Sequence, residues 1–471
     1  MLTYSFENRG KDSLYEYLYK QIKNDINNHK LSPGEKLPSK RALAKHLNIS
    51  TITVENAYSQ LVAEGYIYSI PKSGFYVSDI SMVNNSVGTI LDQENSDNME
   101  EMKVEEYVQD YFMDFVNNSI VSENFPFSTW NKLLRETMSE DRHDLMVKAP
   151  SIGIYQLRLA IKNYLYQFRG MVVEPEQIVV GAGTEYLYGL IIQLLGFDKT
   201  YGVEEPGYQK ISRIYLANKV ACVHISLDDN GIDMDELEKS QANVVHITPS
   251  HHFPTGIVTP ISRRHELLSW AVRSKDRFII EDDYDSEFRL LGKPIPALHS
   301  IDGSEKVIYI NTFSKSLTST IRISYMVLPK TLMERYNKEL SFYACTVSNF
   351  EQYTLAKFID QGYLEKHINR MRNHYRSIRD TILDNIKCKM EEEKILIMEE
   401  DAGLHFLLKV ETELSDKELI RRASDKGIHV SCLSQYYYDQ TKAKDHTLII
   451  NYSGVNAENI NEAVDRLYDC L

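Results

Sequence analysis

The chain has 471 residues, 43% hydrophobic and 25% charged, with a net charge of -14. That length suits two to four domains at about 100–200 residues each, and the composition is that of a globular protein able to bury a core without staples. The acidic total argues against a whole molecule built to wrap nucleic acid. In chain order, residues Met1 to Glu7 lack the basic-then-apolar pattern of a secretory signal. Leu14, Leu18, Ile22 and Ile26 recur every four residues and predict a helix face. Pro33-Gly34 is a turn, and Ser39 caps a short helix carrying Ala42, Leu43 and Leu47. Asn48-Ile49 turns the chain, and Ser50 caps a second helix with Val54, Ala57, Tyr58 and Leu61 inward. Gly65 ends that helix, and Tyr66–Ile70 and Phe75–Val77 form a hairpin around Pro71-Lys72-Ser73-Gly74. The order is that of a winged helix-turn-helix.

Charge is uneven along the chain. Residues 1–80 hold ten lysines and arginines against eight acids, so the head is mildly basic and the remainder strongly acidic. Asp92, Glu94, Asp97, Glu100, Glu101, Glu105, Glu106 and Asp110 face a single Lys103, which reads as a solvated acidic linker over 80–114. Within it, Glu100 to Phe115 has some helical character. The body, 115–471, alternates apolar runs with helical segments. The runs are Ile178–Val180, Tyr201–Val203, Val220–Ile225, Val244–Ile247, Phe278–Ile280, Val307–Ile310 and Ile323–Leu328. Such runs are strands buried on both faces, so an α/β sheet covered by helices is expected. The longest apolar stretch, Gly189 to Phe197, is too short to span a membrane. After Gly403 the pattern resets into a smaller α+β subdomain, taken to begin near 335. The cysteines, Cys222, Cys345, Cys388, Cys432 and Cys470, are odd in number and widely spaced. They fit a reduced, cytoplasmic protein without a disulfide frame.

A recognition helix places its first residues near base edges while neighbouring groups hold phosphates. Here Ser50, Thr51, Thr53 and Asn56 stand at the start of the second helix, Lys40 and Arg41 open the preceding one, and Lys72 and Ser73 tip the wing. An ordinary solvated face is the alternative on pattern alone. In the body, Thr312-Phe-Ser-Lys315 follows an apolar strand, and Arg322 lies seven residues on. A lysine in a desolvated pocket can act as a nucleophilic amine, and an arginine with a hydroxyl can hold a phosphate. Ile279-Ile280-Glu281-Asp282-Asp283-Tyr284 runs a strand into acids at the edge where open α/β sheets bind ligands. Such an acid suits a protonated pyridine nitrogen; a metal site or a surface turn is the alternative. Gly181-Ala-Gly183-Thr184 is a strand-turn-helix able to cradle phosphate, and Pro206-Gly207-Tyr208 places an aromatic just past a strand. A plain turn and a core tyrosine are the corresponding bland readings.

Two resemblances emerge. Leu37-Pro-Ser-Lys-Arg-Ala-Leu-Ala-Lys-His-Leu-Asn-Ile-Ser50, Thr53-Val54, Ala57-Tyr58, Leu61, Glu64-Gly65-Tyr66 and Gly74-Phe-Tyr-Val77 resemble the GntR family of bacterial regulators. That family commonly carries Arg after the capping Ser, where this chain has Thr51. The body segments, with Gly153-Ile-Tyr-Gln-Leu-Arg158 and Thr248-Pro-Ser-His-His-Phe-Pro-Thr-Gly256, resemble fold-type-I pyridoxal-phosphate aminotransferases. That resemblance implies a large α/β and a small α+β subdomain. It also implies Lys315 as the Schiff-base lysine, Asp282 on the pyridine nitrogen and Tyr284 on the ring oxygen. Tyr208 would cover the ring, and Gly183, Thr184, Thr312 and Arg322 would hold the phosphate; no metal is implied. A GntR-like head on such a body resembles the MocR/GabR subfamily of transcriptional regulators. The resemblance implies double-stranded operator DNA as partner, a head-to-tail homodimer with swapped heads, and an amino compound or pyridoxal 5'-phosphate itself as effector. The alternative is a working aminotransferase with an accessory head. Phe253 stands where aminotransferases carry Asn, and Gly454 where a carboxylate-gripping Arg is expected. Both argue against turnover; Lys210 and Arg213 are the cations that could replace the missing clamp.

Overall fold

The computed structural model describes residues 2–6, 9–10, 12–79, 111–117, 121–290, 295–401 and 403–471. The chain divides into two compact units, Met1–Val108 and Gln109–Leu471. Residues 80–110 of the expected acidic linker lie outside the described residues. Among the described residues no helix is long and apolar enough to cross a membrane.

The first unit follows the expected order. Helix α1 (Leu14–Asn27) opens with a Ser13–Glu16 capping box and buries Leu18, Ile22 and Ile26. Helix α2 (Lys40–Leu47) is capped by the Ser39 hydroxyl and ends at Asn48, whose φ of 54° makes the turn. Helix α3 (Thr51–Ala63) is capped by Ser50 and buries Val54, Ala57, Tyr58 and Leu61. The wing pairs β1 (Ile67–Ile70) with β2 (Gly74–Val77), Ile67 opposite Val77. One core joins these faces, and the Tyr58 hydroxyl donates to the Pro38 carbonyl at 2.9 Å.

In the second unit the chain has already joined the fold by β3 (Met113–Asp114). This strand pairs in parallel with β14 (Ile428–His429), and Phe115 is buried beside it. The linker reading over 80–114 therefore ends too late, and residues 113–115 are not helical. Pairing with a segment more than 300 positions away leaves no local pattern to read. The large sheet contains β4 (Ile178–Gly181), β5 (Thr200–Glu205), β6 (Ala221–Asp228), β7 (Gly231–Ile232), β8 (Val244–Ile247), β9 (Phe278–Asp282), β10 (Val307–Thr312) and β11 (Ser324–Val327). Its order is β4-β11-β10-β9-β8-β5-β6-β7. Strands β10, β9, β8, β5 and β6 run parallel, while β11 is antiparallel to both β10 and β4.

The small subdomain is a sheet of β12 (Ile395–Met398), β13 (His405–Val410), β16 (Thr447–Asn451) and β15 (Ser431–Cys432). It begins later than the expected 335. Tyr353, Leu355 and Phe358 pack in the core of the large sheet. The handover occurs inside the helix Tyr363–Lys389: Leu364 and Ile368 belong to the large core, Met371 to Ile386 to the small one. A single 27-residue helix, about 40 Å long, spans both cores, so its amphipathic pattern marks no boundary.

Candidate cofactor and DNA sites

The parallel strands bring their C-terminal ends to one edge of the sheet, the edge at which open α/β folds hold ligands. Because β11 runs the other way, its start lies at this edge too. Thr312 pairs with Ser324, Ser324 with Gly181, and Ile310 with Asp282. Gly183 and Thr184 follow β4, Tyr208 follows β5, Tyr284 follows β9, Lys315 follows β10 and Arg322 precedes β11. All eight cofactor candidates thus stand on loops, strand ends or, for Thr184, a helix start along that edge.

Three acids in a row acquire three different surroundings. Glu281 is buried and accepts from the backbone amides of Leu298 (2.7 Å) and His299 (2.8 Å). Asp283 is buried against Arg169 at 2.7 Å and accepts from Tyr309 and Ser286. Asp282 accepts from the Tyr188 hydroxyl on Oδ2, with His246 Nε2 at 3.5 Å and Tyr215 bonded to His246 Nδ1 at 2.7 Å. Its Oδ1, like that of the Arg169-paired Asp283, is buried without a hydrogen-bond partner, and Asp282 has no arginine or lysine paired with it among the described residues. A buried carboxylate oxygen left open in this way is costly, and a cationic N–H donor satisfies it. A protonated pyridine nitrogen is such a donor.

Lys315 is half-buried beyond β10. Burial pulls its amine down to about 8, against the opposing pull of Asp285. An amine in that range loses its proton near neutrality, as a nucleophilic lysine requires. Asp285 is held by His251, whose Nδ1–H donates to it at 2.8 Å. The Tyr284 hydroxyl lies 3.4 Å from the same nitrogen, and burial raises its pKa well above the ordinary value.

The anion cradle is compact. Gly183 has a φ of 95°, and a Cβ there would strike the Arg322 guanidinium. Thr184 opens the helix Thr184–Leu195, so free backbone amides face the cradle. Arg322 Nη2 lies 3.1 Å from Glu185, and Lys210 bonds the other oxygen of the same carboxylate. The Lys210 hydrogen bond is the main cause that holds Glu185 below the usual carboxylate range. The Thr312 hydroxyl accepts from Ser324 at 2.8 Å and donates to Ser314 at 2.9 Å. Tyr208 is half-exposed and meets Phe253 edge-on at 6.1 Å. Phe253 in turn packs edge-on against His405 and Tyr436. Lys210 is held by Glu185, and Arg213 reaches Gln209 at 3.4 Å, so the two candidate replacements for the carboxylate clamp are engaged elsewhere.

Sequence reasoning missed Tyr188, His246, Tyr215, His251, His405 and the Arg169–Asp283 pair. Tyr188 could have been found, because it lies one helical turn after Thr184 on the same face. His246 had a weaker signal, a lone polar residue inside an apolar strand.

In the first unit, Arg41, Thr51, Asn56 and Lys72 are exposed. Ser50 and Thr53 cap each other: Thr53 N–H donates to Ser50 at 3.1 Å and their hydroxyls lie 2.8 Å apart. Lys40 is bonded to Glu55 at 2.7 Å, and the Ser73 hydroxyl lies 2.5 Å from that of Tyr76.

Residues 14–77 match the family model for bacterial regulatory proteins of the gntR family, and residues 117–467 match that for aminotransferase class I and II. The HTH-type transcriptional regulator YdeL of Bacillus subtilis is 39% identical over 98% of both chains. The chain belongs to the MocR-type transcriptional regulators. The probable rhizopine catabolism regulatory protein MocR of Rhizobium meliloti is 29% identical over 96% of this chain and 93% of its own. The body of this MocR-type regulator also superposes on the kynurenine aminotransferase of Pyrococcus horikoshii. The TM-score is 0.67 at 24% identity, covering 77% of this chain and 91% of that one, a likeness of fold.

Proposed function

We propose that this regulator binds pyridoxal 5'-phosphate at the described sheet edge and uses its occupancy, or exchange with an amino compound, to control operator binding by its winged-helix heads. The observation that carries the reading is the buried, unpartnered Oδ1 of Asp282 on the same edge as the low-pKa amine of Lys315. When bound, the cofactor supplies an aldehyde that combines reversibly with amines. The remaining work belongs to the chain. Tyr188 holds Oδ2 of the Asp282 carboxylate, with His246 packed beside it, so that Oδ1 would receive the ring nitrogen. Gly183, Thr184, Thr312 and Arg322 receive the phosphate, whose charge competes with Glu185 for Arg322. Lys210 keeps Glu185 paired once Arg322 turns to the phosphate. Tyr208 covers the ring and Tyr284 donates toward its oxygen.

The heads act on double-stranded operator DNA through Lys40, Arg41, Ser50, Thr51, Thr53, Asn56, Lys72 and Ser73, and a head-to-tail dimer presents two of them. Effector binding shifts the population that engages both half-sites. Calorimetry of cofactor-free protein against pyridoxal phosphate and a panel of amines, followed by footprinting with and without each binder, tests the whole reading. The expected result is binding of the cofactor and a footprint that changes with it or with one amine. A protein that neither takes up the cofactor nor changes its footprint under any ligand overturns it. Multiple turnovers with an amino donor would support the aminotransferase alternative.

A further inference from the structure

Ile52 is 68% exposed in the first turn of α3, the turn that a recognition helix presents to base edges. Single exposed apolar residues are ordinary on protein surfaces, so exposure alone decides nothing. Three further observations do. The Ser50 hydroxyl caps the helix and the Thr53 hydroxyl lies 2.8 Å from it, so both already hold a hydrogen bond within the helix start. A β-branched residue confers no advantage in helix propensity at an exposed site. Asn56, also exposed, follows Ile52 by four positions and so lies on the same face. This face therefore offers an apolar branched side chain beside an amide.

Those two groups match one kind of base pair. Apolar side chains pack on the thymine C5-methyl in the major groove, and an Asn amide pairs with adenine N6 and N7. Thr51 offers no fork for the guanine edge. We infer that each head reads an A·T-containing half-site, with Ile52 packed on a thymine methyl and Asn56 on an adjacent adenine.

The experiment uses the full-length protein and selects binding sites from a random duplex library. The inference predicts an enriched half-site with an invariant thymine. Replacing that thymine by deoxyuridine removes one methyl group and should weaken binding about fourfold, the worth of one buried methyl-sized group. Ile52→Ala should bind the thymine and uracil duplexes equally, and Asn56→Ala should bind both more weakly while keeping their ratio. Ile52 is exposed and outside the core, so the variant keeps the fold. Equal binding of the two duplexes by the unaltered protein overturns the inference, as does an unchanged ratio in Ile52→Ala. A library with no enriched sequence overturns it together with operator binding itself, which separates the two failures.

Discussion

Asp282 owes its role to what surrounds it rather than to its type. Its neighbours are equally buried, yet Glu281 bonds backbone amides through both oxygens and Asp283, whose Oδ1 is also open, has its charge matched by Arg169, whereas no arginine or lysine pairs with Asp282 among the described residues. Asp282→Ala should lower cofactor affinity about ten- to a hundredfold, the worth of a lost charge-assisted hydrogen bond, as read by calorimetry. Lys315 gives a pH dependence. With its amine at about 8, the rate at which cofactor-free protein captures the aldehyde should rise about tenfold per pH unit below pH 8 and level off above it. Stopped-flow absorbance checks this, and a Lys315→Ala variant should show no such phase. Glu204 acts on stability. Burial pushes its carboxyl up to about 8, while the Thr248 amide and hydroxyl oppose the shift. Between the unfolded value near 4.3 and the folded value, the native state holds the extra proton, so this contribution falls as pH rises. Glu204→Gln should therefore flatten the loss of stability between about pH 5 and pH 8 in urea titrations. Unchanged curvature would show that Glu281 and Glu287, both raised to about 7, carry the effect.

At the scale of elements, one reversed strand completes the proposed anion cradle. Because β11 is antiparallel between β4 and β10, Arg322 at its start reaches the glycine turn after β4. Gly183 is needed there twice over, for its φ of 95° and for the space that the guanidinium fills. Gly183→Ala should cut cofactor affinity at least about tenfold and lower the thermal midpoint by about 1–3 °C, because alanine at that φ is strained. In the head, Ser39 and Ser50 at helix starts are caps. Ser50→Ala should cost about 1 kcal/mol of head stability through lost capping alone. A weaker operator complex in that variant therefore has to be corrected for unfolding before any base contact is assigned.

At the scale of the whole molecule, the head and the body each have their own core, and their charges differ in sign. A weakly basic head should bind DNA feebly alone, and the proposed dimer would tether two heads and raise their effective concentration. Residues 1–79 expressed without the body should bind the selected operator about a hundredfold more weakly than the full chain in a gel-shift assay. The isolated head and the full chain should both weaken steeply with salt.

Much of this protein was legible in its residues. Helix caps, the 3.6-residue period of the head, the buried strands and the order of the glycine, tyrosine, aspartate and lysine segments are local patterns. Local patterns survive without a fold because backbone geometry alone imposes them. They determined the two-part architecture and named the eight cofactor candidates. They could not show where β3 pairs, where the small subdomain begins, or that Lys210 is held by Glu185. Nor could they show which acid of Glu281-Asp282-Asp283 pairs with Arg169 and which is left without a cationic side chain. Tyr188 and Asp282 lie 94 positions apart, and Arg169 lies more than a hundred positions from Asp283. Which buried group finds a partner depends on which strands the sheet sets side by side, and only the tertiary structure decides that.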